Sequence, residues 1–172
     1  MKWMAVVLLG AVTSCSSATV PTKAVATRVA APNASFASYR TFSFGLADQP
    51  KTGYEVTPRS LEVQRRLRPL VQEALQGRGY QEDAKGDFVV KLATGTGSVQ
   101  RPGAERVIGT PLAQGYIGID IYDASSGGEV WQGSAFAEID PEKVDDSLLK
   151  MGVAHMLENF PPRDAAGLAS VR

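Results

Sequence analysis

Along the chain, short runs with a two-residue period alternate with two longer runs of helical period, and their order predicts the fold. In residues 34–45 (ASFASYRTFSFG), Phe42 and Phe44 alternate with Thr41 and Ser43 before Gly45, the pattern of a strand with one buried face. Residues 46–56 gather Asp, Pro, Lys and Gly and predict a loop. Residues 57–80 (TPRSLEVQRRLRPLVQEALQGRGY) predict a helix. Thr57 suits its N-cap and Pro58 its first position, and Leu67, Leu70, Val71, Ala74 and Leu75 form an apolar stripe that Leu61 and Val63 extend. Pro69 falls inside that stripe, where it lacks an amide donor and crowds the preceding turn. Because the stripe continues on both sides, a kink is expected there rather than a late start near Arg68. Gly77 and Gly79 end the element.

In DFVVKLAT (87–94), Phe88, Val90 and Leu92 oppose Val89, Lys91 and Ala93, again a strand. Residues 95–115 carry Gly and Pro too densely for a regular element and predict a long loop, a length that usually signals mobility or function. YIGIDIYD (116–123) sets Ile117, Ile119 and Ile121 on one face and Tyr116, Gly118, Asp120 and Tyr122 on the other. ASSGG turns the chain and EVWQGSAFAEI returns it; pairing Asp123 with Glu129 places the isoleucines beside Trp131, Gly133 and Ala135. A second helix is expected over 140–162, with Asp140 as cap, Pro141 at the first position and Glu142 at the positive end of the dipole. Its inner side holds Val144, Leu148, Met151, Gly152, His155, Met156 and Phe160, and a double proline stops it.

The order β-α-β-β-β-α predicts an α+β fold: a two-layer sandwich in which a four-stranded, mostly antiparallel sheet carries both helices on one face. The opposite face is then open, with Tyr116, Asp120 and Tyr122 pointing into it.

Ahead of this domain the pattern changes. MKWMAVVLLGAVTS begins with one positive charge, continues through an apolar run and ends in small residues, as a secretory signal does. Its apolar run of about ten residues is too short to span a hydrocarbon core, which takes roughly 20. Val12-Thr13-Ser14-Cys15 resembles a bacterial lipobox. That resemblance implies a diacylglycerol on the Cys15 thiol, cleavage before it, and acylation of the new amine. One acyl chain binds a bilayer marginally and two or more anchor it stably, at about 0.8 kcal/mol per buried methylene. The alternative is ordinary cleavage, near Ala18, with Cys15 discarded. Ser16, standing where an aspartate would favour inner-membrane retention, points by the same resemblance to the outer membrane, with the domain facing the periplasm. Residues 1–14 are thus expected to be the signal, 15–34 the lipidated cysteine and a flexible tether rich in Ala, Ser, Thr and Pro, 35–162 one domain, and 163–172 a loose tail.

Composition narrows the chemistry. The formal charge is zero and becomes about one unit negative once Lys2 is removed, so the excess of Lys and Arg that nucleic-acid binding requires is missing and no nucleic-acid partner is expected. Cys15 is the only cysteine and His155 the only histidine, which leaves no His/Cys metal set and no disulfide, and a Ser-His-Asp triad would have to rest on a residue in a helix interior. No cofactor is expected. GTGSVQRPG lacks the third glycine of a dinucleotide fingerprint and the GK[ST] of a phosphate loop. Arg59, Arg65, Arg66, Arg68 and Arg78 make a basic run balanced by Glu62 and Glu73, a solvated helix face whose other reading is attraction to anionic headgroups or glycan. Asp123 belongs to turn chemistry.

Several segments together resemble a family of bacterial lipoproteins, the domain of unknown function 4136. They are FASYRTFSF (36–44), GRGYQEDAKGDFVVKL (77–92), QGYIGIDIYDASSGGEVWQGSA (114–135) and NFPP (159–162), covering about residues 35–162. The resemblance implies a cell-envelope location and supplies no reaction, substrate or catalytic residue. The expected function is therefore a non-catalytic binding or structural role in the envelope. It would be moored to the membrane through Cys15 and would contact an envelope protein or glycan through the open sheet face or the 95–115 loop. The alternative is a small-ligand receptor or hydrolase working through Asp120 and its neighbouring tyrosines. Oligomeric state is not legible.

Overall fold

The structure, a computed structural model, describes residues 25–31, 36–98, 113–139 and 146–163. Two helices, α1 (Pro58–Gln76) and α2 (Asp146–Met156), pack on one face of a mixed open sheet. Its strands are β1 (Val25–Ala30), β2 (Thr41–Phe44), β3 (Gln81–Glu82), β4 (Phe88–Ser98), β5 (Ala113–Asp123) and β6 (Glu129–Ile139), in the order β1-β6-β5-β4-β2-β3. The α+β class and the helices on one face agree with expectation; the sheet has six strands rather than four. β3 is two residues long and pairs parallel with β2.

β1 corrects a larger expectation. It lies within the stretch read as tether, yet pairs antiparallel with β6 from Val25 opposite Phe136 to Ala30 opposite Trp131. VATRVA has no decisive alternation of its own; the unpaired edge of β6 supplies the partner, and strand formation depends on such neighbours more than on local propensity. The stems of the expected 95–115 loop are also strand, since β4 and β5 stay paired out to Ser98 and Ala113. The rest of that loop, 99–112, lies outside the described residues. The β5–β6 register is the expected one on the helix side, with Ile121, Ile119 and Ile117 opposite Trp131, Gly133 and Ala135. It is reached through a bulge: Tyr122 faces Glu129, and Val130 is the extra residue.

α1 opens with a reciprocal capping box, Ser60 N donating to Thr57 Oγ1 (3.1 Å) and Thr57 N to Ser60 Oγ (2.8 Å). It runs from Pro58 through Pro69, so the late start near Arg68 is excluded; Pro69 sits on the exposed side. Val63, Leu67, Val71 and Leu75 are buried at four-residue spacing, while Leu61, expected in the stripe, is 48 % exposed. The expected cap of the second helix, Asp140 to Glu142, and Val144 lie outside the described residues. The buried side of α2 is Leu149, Gly152, Val153 and Met156, about one position away from the expected stripe, and Met151 and His155 face solvent. Close approach sets that rotation. A Cβ on Gly152 would stand 2.7 Å from Ile117 Cδ1, and one on Gly133 would stand 3.0 Å from the Met156 backbone oxygen. The helix therefore seats its glycine directly on β5 and β6, and the residues flanking that contact become the buried ones.

An aromatic cluster joins the helix layer to the sheet. Phe160 meets Phe36 and Trp131 edge to face at 5.3 Å and touches Tyr80 and Phe88. Beyond α2 the chain is locked to the end of α1. Tyr80 Oη donates to Pro161 O (2.9 Å), Arg78 donates to the carbonyls of Ala74 and Leu157, and Arg163 N donates to Arg78 O. Gly79 makes the intervening turn at φ +91°. On the strand side, a Cβ on Gly86 would lie 2.3 Å from the Phe42 backbone, while Asp87 accepts from the amides of Arg40 and Thr41. These contacts account for the GRGY, GD and NFPP pieces of the sequence. Replacing Phe160 by Ala is expected to cost about 3–5 kcal/mol in denaturant unfolding, whereas Leu46→Ala, at a side chain 89 % exposed, should change stability by less than about 0.5 kcal/mol.

Candidate functional site

The face of the sheet opposite the helices is covered, which corrects the expectation that it is open. Residues 46–56, expected to be a plain loop, cross it together with Gly45 as a strap, residues 45–56. Gly45 N and Asp48 N donate to Val90 O and Leu92 O of β4, and further on Glu55 and Thr96 exchange both backbone hydrogen bonds. Between these points the strap lies over β4, β5 and β6. Gly95 and Gly97 of β4 leave the space it needs, since a Cβ on Gly95 would stand 2.9 Å from both Pro50 and Tyr54. Tyr54 stacks on Tyr116 (5.1 Å) and Phe136 (5.7 Å) and donates to Gln114. Lys51 Nζ donates to the buried Ser134 Oγ at 3.2 Å.

Tyr116, Asp120 and Tyr122 share this face as expected, but two of them are enclosed, Tyr116 at 3 % and Asp120 at 7 % exposure. Tyr116 lies along its own strand because Gly118 has no side chain; a Cβ there would be 2.6 Å from the Tyr116 hydroxyl. Burial, with Asp120 nearby, pushes the Tyr116 phenol up to about 12. Tyr122 Oη donates to Asp48 Oδ2 (3.1 Å), and its phenol is also raised to about 12, by burial first and by that carboxylate second. Lys91 bridges the two, with Nζ 3.8 Å from Asp48 Oδ2 and 4.3 Å above the Tyr122 ring.

Asp120 is opposite Lys91 on β4 and Gln132 on β6. Its Oδ1 is buried with no hydrogen-bond partner. Desolvation chiefly, then the negative charge of Glu129, raises its carboxyl to about 6; a hydrogen bond from the Gln132 side chain opposes this, and Asp48 and Lys51 act more weakly in opposite senses. Asp123 has a different fate. It accepts from the amides and hydroxyls of Ser125 and Ser126 and from Tyr39 Oη, which hold its carboxyl well below the usual range. The two aspartates are not brought together as an acid/base pair. His155 lies in the helix layer, exposed, and no group of three His, Cys, Asp or Glu able to hold a metal occurs among the described residues. Cys15 lies outside them.

The arginine run is largely committed. Arg59 pairs with Glu62, Arg66 with Asp146 and Arg68 with Glu82, while Arg78 serves the carbonyls already named. Between the helices and the sheet, Val63, Ile117, Ala135, Leu149 and Gly152 help to line an apolar cavity of about 50 Å³, small beside the roughly 300–1,000 Å³ of a typical ligand pocket. A shallower groove of about 570 Å³ runs between α1 and the start of the strap, over Phe44, Leu61, Arg65 and Arg68. Leu46 and Val56 of the strap and Leu61 of α1 are exposed. Asp48, Lys51 and Tyr54 are the site residues that sequence reasoning missed. The signal for them was an aromatic inside a polar loop, matched by two glycines on β4 in place of side chains. Gly118→Ala is expected to lower stability by about 1–3 kcal/mol through overpacking. Adding Tyr116→Phe should recover part of the loss, because the hydroxyl nearest the new methyl is gone; a double-mutant cycle measures this coupling.

Comparison with known proteins places this geometry. The family described as Domain of unknown function (DUF4136) matches residues 26–162. Among solved structures, the fold is similar to a PelC variant dodecamer from Paraburkholderia phytofirmans, with TM-score 0.53, 13% identity, and coverage of 82% of this chain and 99% of that one. It is also similar to a PDZ domain protein from Parabacteroides distasonis, with TM-score 0.57, 14% identity, and coverage of 81% of this chain and 37% of that one. A DUF4136 family protein from Bacteroides thetaiotaomicron aligns at TM-score 0.49 and 12% identity, covering 81% of this chain and 97% of that one. At such identities the likeness is one of fold alone. No curated protein matches the chain. With its family pattern spanning β1 to the double proline, this chain belongs to the DUF4136 family.

Proposed function

We infer that this protein is a lipid-anchored lipoprotein of the bacterial envelope, outer-membrane bound and facing the periplasm, that binds another envelope component without catalysing a reaction. The observation that carries the reading is the short distance from anchor to domain. Nine residues separate Cys15 from Val25, the first residue of β1. Fully extended, that connection reaches about 35 Å, and as a flexible coil about 15–18 Å. The domain is thus held beside the bilayer. Among the described residues no helix is long and apolar enough to cross it, so the acyl groups on Cys15 would be the mooring.

The contact surface is the second sheet face and the strap across it, with Val29 of β1 and Leu46 and Val56 of the strap among the exposed apolar positions and Leu61 on the adjoining edge of α1. The PelC neighbour is described as a dodecamer, which makes a further copy of the chain one class of partner to test alongside a different envelope protein or glycan. The receptor or hydrolase reading has less support, because Asp120 and Tyr116 are covered.

Mass spectrometry of the mature protein should show an acylated N-terminal cysteine. Cys15→Ser should be found in the soluble fraction, and membrane retention of that variant at the wild-type level sinks the anchor. Photo-cross-linking in intact envelopes from probes at Leu46 and Leu61 should yield a discrete adduct. A smear of non-specific products from both positions would count against the binding role.

A further inference from the structure

The strap is held at its two ends and rests on a charged cluster in between. Gly45 N and Asp48 N bond Val90 O (2.9 Å) and Leu92 O (3.1 Å) at one end, and Glu55 and Thr96 exchange bonds of 3.0 and 2.9 Å at the other. Gly53, at φ +93°, makes the bend that lets Tyr54 turn down onto the sheet. No residue from 45 to 56 is itself buried. A segment with so little buried apolar surface of its own belongs to the low end of local stability.

Beneath it lies a carboxyl group whose charge is poorly housed. Asp120 is 7 % exposed and its Oδ1 has no donor, and the hydrogen bond that the Gln132 side chain makes to the carboxyl offsets only part of the desolvation. The groups facing it are Asp48 and Lys51 from the strap, Lys91 from β4, Tyr116 and Tyr122 from β5, and Glu129 and Gln132 from β6. Both lysines are engaged elsewhere, Lys91 with Asp48 and the Tyr122 ring, Lys51 with Ser134. Asp48 and Glu129 add like charge. The closed arrangement therefore suits a neutral Asp120, while an ionised one requires water. Lifting the strap, whose Asp48 and Lys51 lie near the carboxyl, would admit it.

We propose that the strap is a proton-controlled cover, closed over β4, β5 and β6 while Asp120 is protonated and released as that carboxyl ionises, which uncovers Tyr116 and Phe136. The sign follows from linkage. The carboxyl is raised from 3.8 to about 6 in the closed state, so closure is favoured at low pH and the advantage is lost as pH rises through about 6. Full re-solvation on opening would change the closed-to-open ratio by up to about a hundredfold. The cover depends on neither the lipid anchor nor the identity of any partner, and it can fail without them.

Hydrogen exchange resolved at the Asp48 and Glu55 amides, corrected for intrinsic rates and compared at about pH 5 and about pH 7.5, tests the cover directly. In the wild type, protection at both should fall by several-fold, up to about tenfold, between the two conditions while amides in the middle of α1 hold theirs. In Asp120→Asn the strap's protection should no longer change with pH. An NMR titration of the Asp120 carboxyl in the wild-type protein needs no variant to fold and should give a midpoint near 6. Equal strap protection at the two pH values, pH dependence that survives in Asp120→Asn, or a midpoint in the ordinary carboxylate range would each overturn the proposal.

Discussion

β5 is flanked by β4 and β6 and is apolar enough on one side, and aromatic enough on the other, that both of its faces have to be kept from water. Ile119 and Ile121 are fully buried under the helices, and Tyr116 is nearly so on the opposite face. A sheet covered on one side by two helices leaves that second face in need of something else. The chain supplies it with twelve residues of irregular backbone, residues 45–56, rather than a third layer of regular structure. Much of the remaining geometry answers to this double burial: the glycines under Pro50 and Tyr54, the phenol lying along Gly118, and the polar bridge from Lys51 to Ser134.

Close approach is the recurring device. Gly133 and Gly152 bring α2 onto β5 and β6, Gly86 lets the turn before β4 cross the backbone of β2, and Gly95 and Gly97 admit the strap. At each place a methyl group would meet backbone or a packed side chain, so the shape of the domain is written in missing side chains as much as in large ones. The aromatic residues then fill what the glycines leave, with Phe160 and Tyr80 closing the helix layer and Tyr54, Tyr116 and Phe136 closing the other side.

Electrostatics has a secondary part in holding the fold. The ion pairs of α1 are partly exposed and each contributes little. The consequential charges are the ones that burial has made awkward. Asp123 has its needs met at a turn by two serines and Tyr39, whereas Asp120 sits in mid-sheet with an oxygen unserved. Such a residue sets a condition on its cover, and a fold whose neighbours at this similarity share only architecture is free to use that condition in its own way.

Periodicity alone was enough to place α1, β2, β4, β5 and β6, the helix-side partners of the isoleucines, and the co-facial set Tyr116, Asp120 and Tyr122, because each follows from a repeat of two or 3.6 residues within one segment. The resemblance of residues 12–15 to a lipobox is likewise a local pattern. β1 was not legible, since a short run without strong alternation becomes a strand only when β6 offers it an edge. The one-residue rotation of α2, which exposes His155, came from two close approaches between elements, Gly152 against Ile117 of β5 and Gly133 of β6 against Met156. The strap was hidden for the same reason. Residues 46–56 carry the composition of a loop, and whether a loop hangs in solvent or lies on a sheet is decided by the surface it meets. The sequence thus determined which way Asp120 points; only the tertiary structure, by laying a second segment over it, decided that its charge would be buried.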